Sequence, residues 1–345
     1  MDLVNHLEGR LLFAVPKKGR LLQAALNLLE GADIQFRREN RLDIALVKNL
    51  PIALVFLPAA DIPTFVGEGR VDLGITGFDQ VQEHDAALRA LARARRLSGE
   101  CTSSNHNDDP SASGGSAKPQ GCETVMELGF GACKLQVQVP QKGVYAESRD
   151  LIGKNIGTSF VHLTEEYFAR LELEQGGIAN GEDAPLDLGA RKLKTKIIEL
   201  SGSVEAACAL GVADGIVDLV ESGETMRAAG LKAIDTVVDS QAILIKSRAP
   251  SNPDMVDLIA SRIHGVITAQ KYVLCSYNIE RSRLKEATDI TPGKRAPTVT
   301  SLEEENWVAV SAMVEKKQIA VVMDRLAKVG AADILVFDIH NTRST

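Results

Sequence analysis

The segment from Glu205 to Met226 constrains this chain most, because it packs a helix, a buried strand and a tight turn into one continuous stretch. Gly215-Ile216-Val217-Asp218-Leu219-Val220 is a short apolar run opened by a glycine and interrupted by one carboxylate, the pattern of a strand buried in a parallel sheet. Asp218 falls near its C-terminal end. Glu221-Ser222-Gly223-Glu224-Thr225-Met226 follows, with a glycine free to take positive φ, and a helix is predicted over 225–229 with Gly230 closing it. A strand, a turn and a helix N-terminus gather backbone N–H groups and the Ser222 and Thr225 hydroxyls around one point, where the helix dipole favours an anion. A 5′-phosphate fits that description. Taken alone, S-G-x-T is more simply read as Ser222 capping a helix and Gly223 relieving a turn.

Alternation of period-2 and period-3.6 patterns continues on either side. Strands are predicted over 11–15, 52–57 and 71–75, with a helix over 20–29 that carries apolar Leu21, Leu22, Ala25, Leu26 and Leu29. The stretch 98–124 lacks any Val, Ile, Leu or Phe and is crowded with Ser, Gly, Asn and Asp, so it is expected to be a mobile insertion that buries too little to offset its ordering entropy. Strict alternation in Cys133-Lys134-Leu135-Gln136-Val137-Gln138-Val139 marks a strand with one polar face. Strands over 155–158, 196–200 and 215–220, with helices near 163–171 and 204–210, complete a second α/β stretch, and 174–190 reads as another loop insertion. Ala242-Ile243-Leu244-Ile245 and a helix opened by Pro253 are expected to lead back to the first stretch. From Lys271 onward the order of predicted elements is βαββαβ, that of a ferredoxin-like domain.

A chain of 345 residues exceeds what one core usually organises, so two or three domains are expected. With 45% hydrophobic and 25% charged residues, the composition is that of a globular protein. No apolar run reaches bilayer length and the N-terminus lacks the features of a secretion signal, so no membrane and a cytoplasmic address are expected. A net charge of −7 argues against nucleic acid as a bulk electrostatic partner. The five cysteines form no CxxC pair, which suits reduced thiols, and the scattered histidines predict no zinc site.

Glu205, Gly211, Ala213, Ile216, Asp218, Leu219, Ser222, Gly223, Thr225 and Met226 fall at the spacing of the signature of ATP phosphoribosyltransferase, which the segment closely resembles. Further blocks resemble that family in order: Arg10-Leu11-Leu12-Phe13-Ala14-Val15-Pro16-Lys17-Lys18-Gly19-Arg20-Leu21, Arg41-Leu42-Asp43-Ile44-Ala45, Asp61-Ile62-Pro63, Val71-Asp72-Leu73-Gly74-Ile75-Thr76-Gly77 and Gly202-Ser203-Val204-Glu205. The tail adds Gly265-Val266-Ile267-Thr268-Ala269-Gln270, Arg295-Ala296-Pro297-Thr298 and Trp307-Val308-Ala309-Val310. The resemblance is to the long, fungal-type form and runs nearly end to end.

It implies a two-lobed catalytic core similar to type II periplasmic binding proteins, with lobe I in 1–97 plus 233–269, lobe II in 125–232, and a ferredoxin-like domain in 270–345 that binds histidine as inhibitor. It also implies a homo-oligomer, dimer or hexamer. The implied reaction is attack of adenine N1 of ATP on ribose C1 of phosphoribosyl pyrophosphate, with pyrophosphate leaving, as the first step of histidine biosynthesis. Such chemistry develops oxocarbenium-like charge on the ribose and asks for a phosphate anchor, carboxylates near the ribose and cations on the leaving group.

The expected 5′-phosphate anchor is Ser222, Gly223, Glu224 and Thr225, with the Glu224 backbone N–H rather than its side chain contributing. Asp218 and Glu221 are the candidate catalytic carboxylates, taking ribose hydroxyls, and Asp218 is the candidate ligand for Mg²⁺, which prefers oxygen donors. Lys17, Lys18 and Arg20, after the first strand and before a helix, are candidates for polyphosphate of ATP or the leaving group. Thr158 and Ser159 form another hydroxyl-bearing strand-to-helix turn, for which helix capping is an equal reading. Asp72, Thr76, Gly77, Asp79 and Glu205 complete the candidates; Asp72 also suits local backbone capping, and Glu205 suits a helix start. A two-lobed small-ligand receptor without catalysis is the alternative class, which turnover of both substrates separates from the enzyme.

Overall fold

The computed structural model describes residues 7–38, 42–97, 121–176 and 193–343. Within them the elements are β1 (Leu11–Pro16), α1 (Arg20–Gly31), β2 (Ile44–Leu46), β3 (Ile52–Leu57), α2 (Ile62–Gly67), β4 (Leu73–Gly77), α3 (Phe78–Leu97), β5 (Cys122–Glu127) and β6 (Cys133–Pro140). There follow β7 (Asn155–Thr158), α4 (Val161–Gln175), β8 (Lys196–Glu199), α5 (Ala206–Ala209), β9 (Gly215–Val220), α6 (Glu224–Ala228), β10 (Leu231–Ser240) and β11 (Ala242–Ser247). The chain ends with α7 (Pro253–Lys271), β12 (Tyr272–Glu280), α8 (Leu284–Ile290), β13 (Thr298–Ser301), β14 (Trp307–Glu315), α9 (Ile319–Lys328) and β15 (Ala332–Asp338).

Contacts divide the chain into two compact units, the first comprising Met1–Leu22, Arg41–Ile44 and Ala53–Ser251. This unit contains two lobes. In lobe I the strands β3, β1, β4, β11 and β5 follow one another in a single sheet; β4 runs parallel to β1, and β11 antiparallel to both β4 and β5. Ala14, Ile62, Val66, Val71, Val81, Ile243 and Ile245 form its core. Lobe II is a sheet of order β10-β6-β9-β7-β8, whose β7 is parallel to β8 and β9 while β6 is antiparallel to β9 and β10. Leu135, Val137 and Val139 of β6 pack with Ile156, Phe160, Leu163 and Phe168 on one face, as the alternation predicts.

Two crossings join the lobes: residues 128–132 between β5 and β6, and Gln241 between β10 and β11. They are bonded side by side, Leu128 N–H to Ala242 O at 2.9 Å and Ala242 N–H to Phe130 O at 2.9 Å. A second tie links the α-helices. The Glu83 carboxylate of α3 accepts from the first N–H groups of α4, His162 at 2.8 Å and Leu163 at 2.9 Å, capping that helix from the other lobe. Burial pushes the Glu83 carboxyl up, and the two backbone donors pull against that shift. Arg89 and Arg93 grip Glu166 of α4, and despite its burial they hold that carboxyl below the usual range.

Several boundaries differ from the sequence expectation. β10 was expected to leave lobe II at residue 232, yet it pairs with β6 as far as Ser240, so the return crossing comes at Gln241. β5 pairs with β11, which places Cys122–Glu127 in lobe I, neither in an insertion nor in lobe II; residues 98–120 lie outside the described residues. A strand that supplies the last hydrogen-bonding edge of a sheet is polar on its open side, and β5 carries too few apolar residues to announce itself. The predicted loop at 174–190 begins inside α4, which reaches Gln175, and residues 177–192 are not described. The helix expected over 204–210 is a single turn.

The second unit comprises Gln23–Asn40, Ala45–Ile52 and Asn252–Thr345, so α7, expected in lobe I, belongs here. Within it the tail lies on α7: a Cβ on Gly265 would collide with Asn341, Thr342 and Arg343. β12 to β15 form an antiparallel sheet of order β13-β14-β12-β15 with α8 and α9 against one face, the ferredoxin-like arrangement. Tyr277, 1% exposed, anchors its core and bonds Thr291 at 2.7 Å.

Asp72 is a structural staple: buried, it accepts from Leu12 N–H at 2.9 Å and Ser251 N–H at 2.5 Å. Asp72→Ala leaves both donors unpaired and is expected to cost about 2–4 kcal/mol, read as a lower urea midpoint for the full chain; an unchanged midpoint would dismiss the staple.

Candidate active site

At the C-terminal end of β9 the chain turns through Glu221, Ser222 and Gly223 into α6. Gly223 has φ of 74°, in the left-handed region, and a Cβ there would meet the Arg227 guanidinium. The Ser222 hydroxyl accepts from Glu224 N–H at 3.3 Å, and the first helical bond runs from Arg227 N–H to Gly223 O at 3.0 Å. The N–H groups of Thr225 and Met226 therefore precede the helical ladder and point out of the turn. Ser222 and Thr225 are exposed, so their hydroxyls are open to a ligand. Arg227 folds back to donate to Ser222 O at 3.1 Å; it is a cation the sequence reading missed, although it lies two positions past Thr225.

Asp218 stands opposite Gln136 in register, on the face of the lobe II sheet away from the Leu135 and Val137 core. One carboxylate oxygen accepts from Leu219 N–H at 2.8 Å. Burial pushes the Asp218 carboxyl up, the backbone bond opposes this, and the negative charge of Glu205 raises it further. Glu205 is the N-terminal boundary residue of α5 but makes no side-chain capping bond, so the reading of Glu205 as a helix cap is not what the fold uses. Its carboxylate instead shares an electrostatic neighbourhood with Asp218. Two neighbouring acidic groups suit a cation or a set of hydroxyl donors.

From lobe I, Arg20 reaches three oxygen acceptors, Gly131 O at 2.5 Å, Asp79 Oδ1 at 3.6 Å and Glu221 Oε1 at 3.2 Å, and it also bonds the Cys133 thiol. Asp79 is 1% exposed and is held by the Ser240 hydroxyl at 2.5 Å and Gln80 Nε2 at 2.7 Å. Gly77 leaves the room this needs, since a Cβ would overlap the Asp79 carboxylate. A cavity of about 310 Å³ opens here between Lys18, Gly19, Arg20, Gly77, Asp79 and Leu219. A larger one of about 810 Å³ lies beside the turn, lined among others by Lys134, Gln136, Glu221, Ser222, Gly223 and Arg227.

Other candidates sit elsewhere. Lys17 pairs with Asp43 at 2.8 Å and lines neither cavity. The Thr76 hydroxyl is buried and donates to Ala59 O at 2.8 Å. Thr158, a candidate for ATP, is fully buried: its hydroxyl donates to Val217 O at 2.8 Å and accepts from Phe160 N–H at 2.9 Å, so it fastens the β7–α4 turn to β9. Ser159 beside it is exposed.

Sequence comparison decides the family. Residues 58–265 match the family described as ATP phosphoribosyltransferase, and residues 269–341 match its C-terminal domain. The chain belongs to the ATP phosphoribosyltransferase family. The ATP phosphoribosyltransferase of Yarrowia lipolytica is 55% identical over 343 residues, covering 99% of this chain and 100% of that one. That of Saccharomyces cerevisiae is 50% identical over 344 residues, with the same coverage. Among solved structures, the ATP phosphoribosyl transferase (HisG:HisZ) complex from Thermotoga maritima aligns with a TM-score of 0.51 at 20% identity, covering 74% of this chain and 96% of that one, a likeness of fold. The activity is that of the family: transfer of the 5-phosphoribosyl group from phosphoribosyl pyrophosphate to N1 of ATP, which opens histidine biosynthesis.

Because the folded Asp218 carboxyl binds its proton more tightly than the unfolded one, its ionisation opposes folding. The penalty is absent below the ordinary carboxylate range, grows as pH rises from there through the elevated value and is complete above it. Asp218→Asn is expected to unfold at higher urea than wild type at neutral pH, with the difference closing in acid, while losing affinity for phosphoribosyl pyrophosphate. A less stable Asn variant at neutral pH would contradict the assignment.

Proposed function

We propose that transfer takes place over the Asp218–Glu205 pair, with the ribose 5-phosphate anchored on the Ser222–Thr225 turn and the leaving pyrophosphate received by Arg20 and Lys18. The observation that carries this reading is the turn that follows β9 directly after Asp218, where the exposed Ser222 and Thr225 hydroxyls and the N–H groups that precede the helical ladder converge. The two carboxylates accept from ribose hydroxyls and stabilise positive charge as the C1–pyrophosphate bond stretches. The Ser222 and Thr225 hydroxyls, with the Thr225 and Met226 N–H groups, hold the 5′-phosphate and fix the ribose against adenine N1. That nitrogen already presents a lone pair, so no protein base is required. Glu224 contributes backbone rather than carboxylate.

The hard oxygen donors Asp218 and Glu205 fit Mg²⁺, which Asp218 would hold partly through water. When bound, the ion supplies charge neutralisation to the departing pyrophosphate. Histidine is proposed as an inhibitor acting through the ferredoxin-like domain, a unit with a hydrophobic core of its own. Self-association is proposed as well: β15 is a sheet edge with Leu335, Val336 and Phe337 exposed, a surface that favours a second copy. A cytoplasmic address is proposed from the family's biosynthetic activity. Among the described residues no helix is long and apolar enough to cross a membrane.

Pyrophosphate release should require ATP, phosphoribosyl pyrophosphate and Mg²⁺ together and should fall when histidine is added; release from phosphoribosyl pyrophosphate alone would refute transfer to ATP. Thr225→Ala should weaken binding of phosphoribosyl pyrophosphate by about 1.5–3 kcal/mol, as for other hydrogen bonds to charged groups. Unaltered affinity in that variant would remove the hydroxyl from the anchor.

A further inference from the structure

Arg20 is bonded at once to lobe I, to lobe II and to a crossing between them, and its three oxygen partners differ in how firmly they are held. Asp79 is buried and fixed: Ser240 donates to its carboxylate and also accepts from its N–H at 2.9 Å. The Gly131 carbonyl belongs to the 128–132 crossing, which is bonded to β11. Glu221 differs, because its side chain is 52% exposed, it lies on the open turn before Ser222, and Arg20 is its one ionic partner among the described residues. An ion pair this exposed is worth at most about 1 kcal/mol, while an arginine–phosphate contact forms two charge-assisted hydrogen bonds and is stronger. Two partners thus aim the guanidinium, and the third is easily exchanged.

We propose that Glu221 is an internal competitor for Arg20: its carboxylate occupies the guanidinium in the empty enzyme, yields it to the pyrophosphate group on binding, and takes it back as pyrophosphate leaves. The proposal rests on the reading above that Arg20 receives pyrophosphate. The exchange is of one anion for another on the same N–H donors, with no bond made or broken. It makes Glu221 a positioning residue acting through Arg20, in place of the ribose contact expected from sequence. Holding the turn to lobe I, the pair also keeps the anchor near the cations before any ligand arrives. A carboxylate that competes for the same donors weakens the product complex, and weaker product complexes release sooner where release limits turnover.

The test is calorimetric binding of inorganic pyrophosphate to the full chain in Mg²⁺ buffer, for wild type, Glu221→Gln, Arg20→Met, the double variant and Glu224→Gln. Glu221→Gln should bind pyrophosphate roughly two- to fivefold more tightly, the range set by a half-exposed ion pair, and Glu221→Asp should return toward wild type. Steady-state kinetics should show the same tightening as a lower pyrophosphate inhibition constant. In the Arg20→Met background, Glu221→Gln should change nothing. The Glu224 side chain lies on the same open turn with no ion pair among the described residues, so Glu224→Gln, which keeps the backbone N–H of the anchor, controls for removal of negative charge as such. Equal tightening by Glu224→Gln, or unchanged or weaker pyrophosphate binding in Glu221→Gln, overturns the proposal. If wild type and Arg20→Met bind pyrophosphate alike, it is the assignment of Arg20 to the leaving group that fails. Thermal melts of the same samples identify any variant whose loss is one of folding.

Discussion

A carboxylate that is 1% exposed is tolerable only when its charge is met inside the protein, and Asp79 meets this requirement with partners drawn from distant parts of the chain. Ser240 comes from the end of β10, Gln80 from the same helix, and Arg20 from the start of α1. Satisfying one buried charge therefore fixes the end of lobe II's outer strand against the head of α3 and aims Arg20 across the cleft. Gly77 is the sequence trace of this knot, because any side chain at that position would occupy the space of the carboxylate.

The lobes meet through interactions of opposite character. At the crossings, main-chain bonds between Leu128, Phe130 and Ala242 make a short ribbon. At the helices, Glu83 caps α4 and Arg89 with Arg93 hold Glu166, contacts in which charge dominates. The first kind resists salt and shear, and the second responds to charge. The Arg20–Glu221 pair is the third link, and its half-exposed carboxylate makes it the one that a bound anion displaces most easily.

Much of the fold was legible in the sequence. β3, β7 and β9 begin and end where the sequence places them; in β3 and β9 an apolar run sets the span, because a largely buried strand has no alternative lining. The βαββαβ order of the tail was readable since β12 and β14 alternate strictly and α9 keeps a helical apolar face between them and the last strand. β5 was not, for an edge strand of Cys, Glu, Thr, Val, Met and Glu has no periodic signal, and neither was the reach of β10, whose partly exposed residues continue past the predicted boundary. Within the site, the strand–turn–helix geometry at Asp218 to Thr225 was legible from strand, glycine and hydroxyl in one segment. Thr158 was misplaced because a hydroxyl at a strand-to-helix turn has the same sequence appearance whether it faces a cleft or Val217 O.

The sequence by itself determined the α/β alternation, the family signature from Glu205 to Met226 and the chemistry those residues can perform, since each depends on neighbours along the chain. The tertiary structure alone decided which polar groups meet: Arg20 with Glu221 and Asp79, and Asp79 with Ser240. The reason is physical. Backbone conformation follows from local sterics and periodic burial, which a sequence carries residue by residue, whereas the partner of a buried or half-buried charge is chosen by whatever the packed lobes bring within a few ångströms.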